Sequence, residues 1–149
     1  MNDVEFMGLA LEAARQARDR DEVPIGAVIV HEGKIIARHG NRTRELNDPT
    51  AHAEILAIRE ACNKLGAQRI PECDLYVTLE PCTMCAAAIA FARLRRLVIG
   101  ALDEKGGGVV SGVRFFESKT CHHRKIEIMS GICEEESATL LKTFFGQKR

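Results

Sequence analysis

Four residues that can hold a metal or move protons occur as two pairs, each at a predicted helix start. Cys82 and Cys85 form a C-x-x-C pair directly after Pro81, and His52 and Glu54 lie earlier, in "TAHAEI". The C-x-x-C spacing places both sulfurs on one face of a first helical turn, within reach of one ion. Two buried cysteines or a redox pair would explain Cys82 and Cys85 alone. The second helix start with His and Glu favours a zinc site.

The set of ligands indicates a catalytic zinc site more than a structural one. His52, Cys82 and Cys85 are three ligands, which leave the fourth tetrahedral position of zinc open, as in catalytic sites. Glu54 as a fourth ligand would close the site. We therefore predict that it is the general acid and base. The alternative is a plain helix-start carboxylate, stabilised by the helix dipole.

The two-residue spacing of His52 and Glu54 needs an explanation. On the side of a helix, residues at i and i+2 point roughly 200° apart. At the mouth of a helix, side chains can converge from different directions on a point beyond the axis. Thr50, after Asp48 and Pro49, is the predicted N-cap. Two helix N-termini would then face one metal and stabilise its thiolate ligands.

The elements that position these residues follow from the hydrophobic pattern. "PIGAVIV" and "IIAR" flank the turn "HEGK" and predict an antiparallel hairpin, and "DLYVTL", "RRLVIGA" and "RKIEIM" predict three more strands. Helices are predicted over about 5–18, 51–65, 81–94 and 134–145, with Gly66 ending the second. The glycine-rich segment 103–112 is predicted to be a flexible loop. This order predicts an α/β protein, a three-layer α/β/α sandwich with a mixed sheet of about five strands, in one domain over 1–149.

Composition narrows the classes of protein that remain. The chain is 46% hydrophobic, and its 21 Lys and Arg balance 21 Asp and Glu, which argues against general polyanion binding. The N-terminal stretch carries acids from Asp3 onward and has no continuous apolar run. We therefore expect neither a signal peptide nor a membrane span, and a cytoplasmic location. In that setting the six cysteines are expected to be thiols or metal ligands.

The two motifs together resemble a known family. His52-Ala53-Glu54 and Pro81-Cys82-Thr83-Met84-Cys85 match the H-x-E and P-C-x-x-C signature of zinc-dependent nucleobase deaminases. The stretches "EVPIGAVIV", "GNRTRELNDPTAHAEI", "DLYVTLEPCTMCAAAI", "HHRKIEI" and "LLKTFFGQKR" are similar to those of the bacterial branch that acts on tRNA adenosine. The resemblance implies a cytidine deaminase-like fold and a homodimer. It also implies hydrolytic conversion of adenosine to inosine at the wobble position of a tRNA anticodon.

The resemblance also implies roles for residues at matching positions. His52, Cys82 and Cys85 would hold one Zn²⁺ per subunit, and Glu54 would shuttle protons. Further substrate contacts are implied for Asn41 at the nucleoside and for the main chain near Ala53 and Pro81. The stretch Val23 to Val28, with Val23, Pro24 and Val28 as its contacts, would form a wall of the base pocket. Contacts with the anticodon stem-loop are predicted for Asp103, Lys105, Arg124, Phe144 and Phe145. The stretch "GGGVVSGVRFF" departs from the Gly-Ala-x-Gly-Ser version typical of the family.

Several alternatives stay open at this level. "TCHHRK" is predicted to be a basic segment that faces RNA or a solvated loop, rather than a second metal site. The adjacent Phe144 and Phe145 could stack on bases, or at least one ring could pack in the core. Lys142, Lys148 and Arg149 make the chain end basic. A deaminase of free guanine or cytosine, or a non-catalytic zinc-stabilised RNA-binding module, are the alternative functions.

Overall fold

A five-stranded mixed sheet lies between two layers of helices. The computed structural model describes residues 1–147, so the predicted basic chain end at Lys148 and Arg149 lies outside the described residues. The strands are β1 (Gly26–His31), β2 (Lys34–Gly40), β3 (Cys73–Leu79), β4 (Arg96–Ala101) and β5 (Glu127–Ser130). The helices are α1 (Asp3–Asp19), α2 (Ala53–Leu65), α3 (Thr83–Ala92) and α4 (Glu134–Gln147), with a short 3₁₀ helix at Phe115–Glu117 that sequence reasoning missed.

The sheet has the order β2-β1-β3-β4-β5. β1 pairs antiparallel with both β2 and β3, whereas β3, β4 and β5 run parallel. Parallel neighbours require crossover connections, and α3 supplies the one between β3 and β4. The predicted hairpin, mixed sheet and strand number are confirmed. The carboxyl end of β3 leads directly to the C-x-x-C pair.

Each face of the sheet has its own hydrophobic cluster. One joins α1 and Leu140 of α4 to Val28, Tyr76 and Val98 of the strands. The other joins α2 and α3 to the alternate strand residues, including Ile29, Leu75 and Ile99. This alternation is the period of two that strands impose on their side chains. It confirms the three-layer α/β/α arrangement and places both site helices on the same face.

Glycines allow close approach or a turn at two positions near this framework. A Cβ atom built on Gly26 would lie 2.7 Å from the backbone nitrogen of Ala14, so α1 packs directly on the β1 backbone there. Gly66 has φ 62° and ends α2 in the left-handed conformation, as predicted. All six cysteines are free thiols, also as predicted. Among residues 1–147, no helix has the length and apolar character needed to cross a membrane.

The glycine-rich segment after β4 is not the flexible loop that the sequence predicts. Gly107, Gly108 and Val109 are buried. Gly107 N–H donates to the Asp103 carbonyl at 2.8 Å, and Gly108 N–H donates to the Pro81 carbonyl at 2.8 Å. The glycines serve close packing here, because backbone meets backbone at positions where a side chain would not fit.

The N-terminus of α1 is tied to the sheet by one carboxylate. Asp3 accepts hydrogen bonds from Tyr76 Oη at 2.5 Å and from Arg96 at 3.1 Å. These bonds, from Arg96 first and Tyr76 second, hold the pKa of Asp3 below its ordinary value. A carboxylate with a lowered folded pKa stabilises the fold above its unfolded pKa, and that stabilisation is lost as the pH falls through the folded value.

We therefore expect Asp3→Asn to lower the free energy of unfolding at pH 7 by about 1 kcal/mol, since the pair is partly exposed. As the pH falls through the lowered folded pKa of Asp3, the difference from wild type should shrink, because the carboxyl is then protonated in both states. Urea unfolding of both proteins at pH 7 and across the acid range measures this. A cost that does not change with pH would show that the charge of Asp3 does not contribute.

Candidate metal centre

Three of the predicted ligands meet at one point. His52 Nδ1 lies 3.6 Å from Cys82 Sγ and 3.5 Å from Cys85 Sγ. A tetrahedral zinc with ordinary Zn–N and Zn–S lengths would separate its nitrogen and sulfur ligands by about 3.6 Å. The donor set and its spacing therefore fit a zinc ion. We call His52, Cys82 and Cys85 the metal triad.

The metal triad sits at two helix mouths because two of its members are N-cap residues. His52 is the N-cap residue of α2 and Cys82 that of α3, and both have extended backbone. Neither side chain makes a capping hydrogen bond to its own helix. An N-cap side chain is half outside the helix, so it can turn beyond the helix end. This explains the two-residue spacing: His52 lies at the N-cap and Glu54 at the second helical position, not on one helical face.

The prediction that Thr50 caps α2 is wrong. Its hydroxyl and backbone N–H both donate to Asp48 Oδ1, at 2.7 and 2.9 Å. Asp48 thus uses the Thr50 hydroxyl in a turn that precedes the helix. The helix begins at Ala53, two residues later than predicted, which is what frees the His52 ring.

The predicted start of α3 at Pro81 is also too early. The helix begins at Thr83, and Pro81 precedes the N-cap. Cys85 is therefore in the first turn and Cys82 directly before it. The two sulfurs still share one side of the helix mouth, as the C-x-x-C spacing predicts.

The electrostatics of the metal triad favour a thiolate. A hydrogen bond from the Cys85 thiol, and then one from His52, hold the pKa of Cys82 far below that of a free thiol. The hydrogen bond between His52 and Cys82 also raises the pKa of His52. A zinc ion would take the place of the protons that these groups share, because its ligands bind in their deprotonated form.

Glu54 lies beside the metal triad and is 3% exposed. Burial raises the pKa of its carboxyl to about 7. A carboxyl whose pKa lies near the working pH can both accept and release a proton, as a general acid and base must. The alternative of a plain helix-start carboxylate stabilised by the helix dipole does not account for the burial of this side chain.

Asn41 directly follows β2, and its side chain contacts the start of α2. Its Oδ1 accepts a hydrogen bond from Ala53 N–H at 2.8 Å, and the side chain is almost fully buried. The Ala53 N–H, part of the main chain predicted to hold the substrate, is therefore already used within the protein. The Pro81 carbonyl likewise accepts from Gly108 N–H at 2.8 Å, and only its second lone pair is free of this bond.

The predicted pocket wall is only partly on the site's side of the sheet. Val23 is half-buried and Pro24 is buried before β1 begins. Val28 packs in the cluster with α1, on the opposite face of the sheet. The prediction for Val28 is wrong, because alternate residues of a strand face opposite sides. Ile25, which sequence reasoning did not single out, packs against the cluster of α2 and α3 instead.

The residues predicted to contact RNA differ in exposure. Lys105 and Arg124 are exposed, and Arg124 Nε donates to the Cys121 carbonyl at 3.3 Å. Asp103 accepts from the N–H groups of Lys105 and Gly106, so its carboxylate closes a turn.

The two adjacent phenylalanines of α4 divide between core and surface. Phe144 is 6% exposed, whereas Phe145 is 49% exposed. The prediction that at least one ring packs in the core is confirmed. Phe144 is too buried to stack on a base, so that contact is wrong for Phe144 and stays a prediction for Phe145.

Among the described residues, the only other group with metal-ligand spacing is His31, Glu32 and Glu72. These side chains lie where β1 ends and just before β3 begins, and His31 pairs with Glu72 at 3.5 Å, an ordinary surface contact. "TCHHRK" forms no such group: His123 Nε2 instead contacts the Leu94 carbonyl at 2.6 Å.

Sequence reasoning missed one residue that borders the site. Glu80 is 3% exposed and directly precedes Pro81 and Cys82. A charged residue at the end of the apolar run "DLYVTL" was the signal, since buried carboxylates need partners.

Fold and site together define a class of protein. A mixed sheet with His, Cys and Cys at two helix mouths around a buried glutamate is the arrangement of the H-x-E and P-C-x-x-C deaminases. A family model described as MafB19-like deaminase matches residues 1–149. The chain belongs to this deaminase family.

Similar proteins carry names that state a substrate. A tRNA-specific adenosine deaminase of Agrobacterium fabrum is 66% identical over 144 residues, which are 97% of this chain and 94% of the relative. A solved structure from a study of A-to-I editing by tRNA:A34 deaminases at the wobble position has a TM-score of 0.90 and 66% identity, and covers 92% of this chain and 99% of that chain. A guanine deaminase of Nitrosomonas europaea is more distant, with a TM-score of 0.82 and 25% identity over 96% of this chain and 84% of its own.

Proposed function

We propose that this chain hydrolyses adenosine to inosine at the wobble position of a tRNA anticodon and releases ammonia. The observation that carries the proposal is the buried Glu54 beside the metal triad, in a chain 66% identical to a relative named tRNA-specific adenosine deaminase. The alternative of a free-base deaminase has weaker support: one guanine deaminase is 25% identical to this chain, and another is 43% identical but covers only 68% of it, against 66% identity over 97% of the chain for the tRNA-specific relative. A tRNA substrate would place the reaction in the cytoplasm.

The cofactor we propose is one Zn²⁺ per subunit, held by His52 Nδ1 and the sulfurs of Cys82 and Cys85. The nitrogen–sulfur distances of 3.5 and 3.6 Å support this assignment. When bound, zinc supplies the Lewis acidity that makes water a nucleophile near neutral pH. The N-termini of α2 and α3 add partial positive charge that stabilises the two thiolates.

Glu54 is the proposed proton shuttle. In the proposed reaction, water adds at C6 of adenine, the C6–N bond breaks and ammonia departs. Glu54 takes one proton of the water and delivers it to a ring nitrogen. It then carries the remaining proton of the added hydroxyl to the departing amine, which leaves as ammonia while C6 becomes a carbonyl. A carboxyl with a pKa raised to about 7 by burial suits both directions of transfer.

Asn41 is proposed to orient the nucleoside. Its Oδ1 is fixed by Ala53 N–H, so the amide nitrogen is the group left to donate to the substrate. Val23 and Pro24 lie on the approach to β1, near Asn41 through the contact between Asn41 N–H and the Ile25 carbonyl at 3.1 Å. The base must leave its stack to reach this site, which costs less in a loop than in a duplex.

The substrate assignment is tested by ammonia release from a panel of substrates. Purified zinc-loaded protein would be given tRNA, an anticodon stem-loop with adenosine at the wobble position, free adenosine, guanine and cytosine. We expect release from the two RNAs alone. Release only from a free base would contradict the proposal in favour of a free-base deaminase, and RNA binding without release would indicate a non-catalytic module.

We further propose that the chain forms a homodimer through α3 and the adjoining face of α2. Phe91 of α3 is 72% exposed, in a helix whose residues from Ala86 to Ala92 are all apolar. It borders a surface cavity that Ile55, Ile58 and Ala88 also line. Arg59, Arg69 and Arg93 also line this cavity. An exposed aromatic ring beside aliphatic side chains and arginines is typical of a protein interface.

Phe91→Ser is therefore expected to yield a folded monomer, because the ring would supply much of the apolar contact. Sedimentation velocity over a range of concentrations measures this. Phe145→Ser is the matched control, since it removes an exposed phenylalanine of α4 and should leave the dimer intact. A wild-type chain that sediments as a monomer would contradict the proposal.

A further inference from the structure

Glu80 is a buried carboxylate at the junction between β3 and the mouth of α3. It is 3% exposed, and the next two residues are Pro81 and the triad member Cys82. Its own N–H donates to the Ala101 carbonyl at 2.8 Å, which fixes its backbone to the end of β4. Burial of an isolated carboxylate is costly, so the partners of its side chain indicate what it does.

Those partners all lie in one segment, residues 103–111, which we call the 103–111 loop. Glu80 Oε2 accepts the N–H groups of Val109, Val110 and Ser111 at 3.1, 2.8 and 2.8 Å. Glu80 Oε1 accepts Asp103 N–H at 3.0 Å and Ser111 Oγ–H at 2.9 Å. The Glu80 carboxylate therefore binds both ends of the loop, Asp103 and Ser111, just before Pro81 and the triad member Cys82.

The glycines of the loop show how close this contact is. A Cβ atom on Gly107 would lie 2.5 Å from Glu80 Oε1, and one on Gly108 would lie 2.7 Å from the backbone nitrogen of Thr83. Neither the loop nor the start of α3 could move apart to admit such an atom without breaking backbone contacts. The loop is therefore packed directly against both Glu80 and the first turn of α3.

The charge state of Glu80 suits this arrangement. Burial alone would raise its pKa, but the N–H groups of Ser111 and Asp103 outweigh burial and lower it. Four N–H groups and one hydroxyl surround the carboxylate, and all five donate. An ionised acceptor matches that set.

We propose that Glu80 is a positioning residue for substrate binding: it holds the 103–111 loop as a wall beside the metal triad and presents its exposed residues to the RNA. The exposed residues of this wall are Glu104, Lys105, Gly106 and Val110. The inference rests on the proposed function for its RNA substrate, whereas the anchoring of the loop is independent of it. Glu80 contacts neither the reacting atoms nor the metal in this account.

Glu80→Gln tests the proposal, because the amide nitrogen cannot accept: either the Asp103 N–H or the N–H groups of Val109, Val110 and Ser111 lose their acceptor, and the remaining amide oxygen carries no charge. We expect amide exchange at Val110 and Ser111 to rise about tenfold or more, since charged hydrogen bonds hold these groups. For an anticodon stem-loop under steady-state conditions, we expect KM to rise by roughly tenfold with kcat changed much less. Zinc content should remain as in wild type.

Two control variants distinguish the loss of the loop's anchor from the loss of a negative charge and from a general loss of stability. Glu104→Gln removes the same charge from an exposed residue of the same loop, so charge alone predicts a lowered KM for RNA in both variants. Anchoring predicts a raised KM in Glu80→Gln only. Glu22→Gln removes a second buried carboxylate, which accepts from the N–H groups of Arg44 and Glu45, and it should loosen those amides while Val110 and Ser111 stay protected.

The outcomes are distinct. Wild-type exchange at Val110 and Ser111 in Glu80→Gln overturns the anchor, and raised exchange with an unchanged KM overturns the positioning role. A wild-type chain that does not deaminate the stem-loop contradicts the proposed function, while the exchange experiment still decides the anchor. If Glu80→Gln does not fold, Gly107→Ala displaces the loop with Glu80 intact and should raise KM in the same way.

Discussion

Glu54→Ala is expected to remove deamination while zinc and fold remain. The loss should exceed the roughly 10²- to 10⁴-fold that one acid or base group contributes, because Glu54 would serve several proton steps in each turnover. Glu54 is not a member of the metal triad, so its removal leaves all three ligands. A single-turnover assay on an anticodon stem-loop, with metal analysis of the same sample, measures both effects.

Glu54→Gln keeps the volume of the side chain and should show the same loss, since an amide cannot shuttle the proton. Glu60→Gln is a matched control on the same helix, because Glu60 pairs with His39 at the surface, away from the metal triad. It should turn over like wild type. Wild-type turnover in Glu54→Gln would remove Glu54 from the mechanism.

His52→Ala is expected to lose the metal itself, and activity with it. Loss of an outer-shell partner typically costs 10- to 100-fold in metal affinity, and loss of a ligand should cost more. His52 is also the only nitrogen donor of the metal triad, so the remaining thiols would not complete a site. Metal content after gel filtration, measured per mole of protein, decides this.

His39→Ala is the control for a histidine lost elsewhere. His39 lies on β2 and contacts Glu60 at 3.1 Å, so its removal should leave one zinc per chain. Stoichiometric zinc in His52→Ala would overturn the ligand assignment. Loss of zinc from both variants would mean that the effect is one of folding, not of ligation.

The metal triad was predictable because ligand chemistry restricts spacing. C-x-x-C at a helix start and H-x-E at another limit the geometries that remain, and the structure brings His52, Cys82 and Cys85 together as expected. The N-cap was not predictable from propensity alone. Thr50 and His52 compete for that position, and the outcome depends on Asp48, whose side chain occupies the Thr50 hydroxyl.

The predictions for the pocket wall and for the 103–111 loop were wrong for different reasons. Val28 was predictable as a residue of the far face, because "GAVIV" is a strand whose alternate residues face α1. Treating 23–28 as one surface overlooked that period. The loop was not predictable, since three consecutive glycines indicate either flexibility or close packing. Only Glu80, distant in sequence, distinguishes the two.

The measurement that tests the central claim most directly is the position of inosine within an RNA after one turnover. Zinc-loaded protein in excess would be mixed with a stem-loop that carries adenosine at the wobble position and elsewhere in the loop, and each nucleoside would be analysed. We predict inosine at the wobble position alone, formed by wild type and not by Glu54→Ala. An unchanged wobble adenosine at full zinc occupancy, or equal inosine from both proteins, would contradict the account.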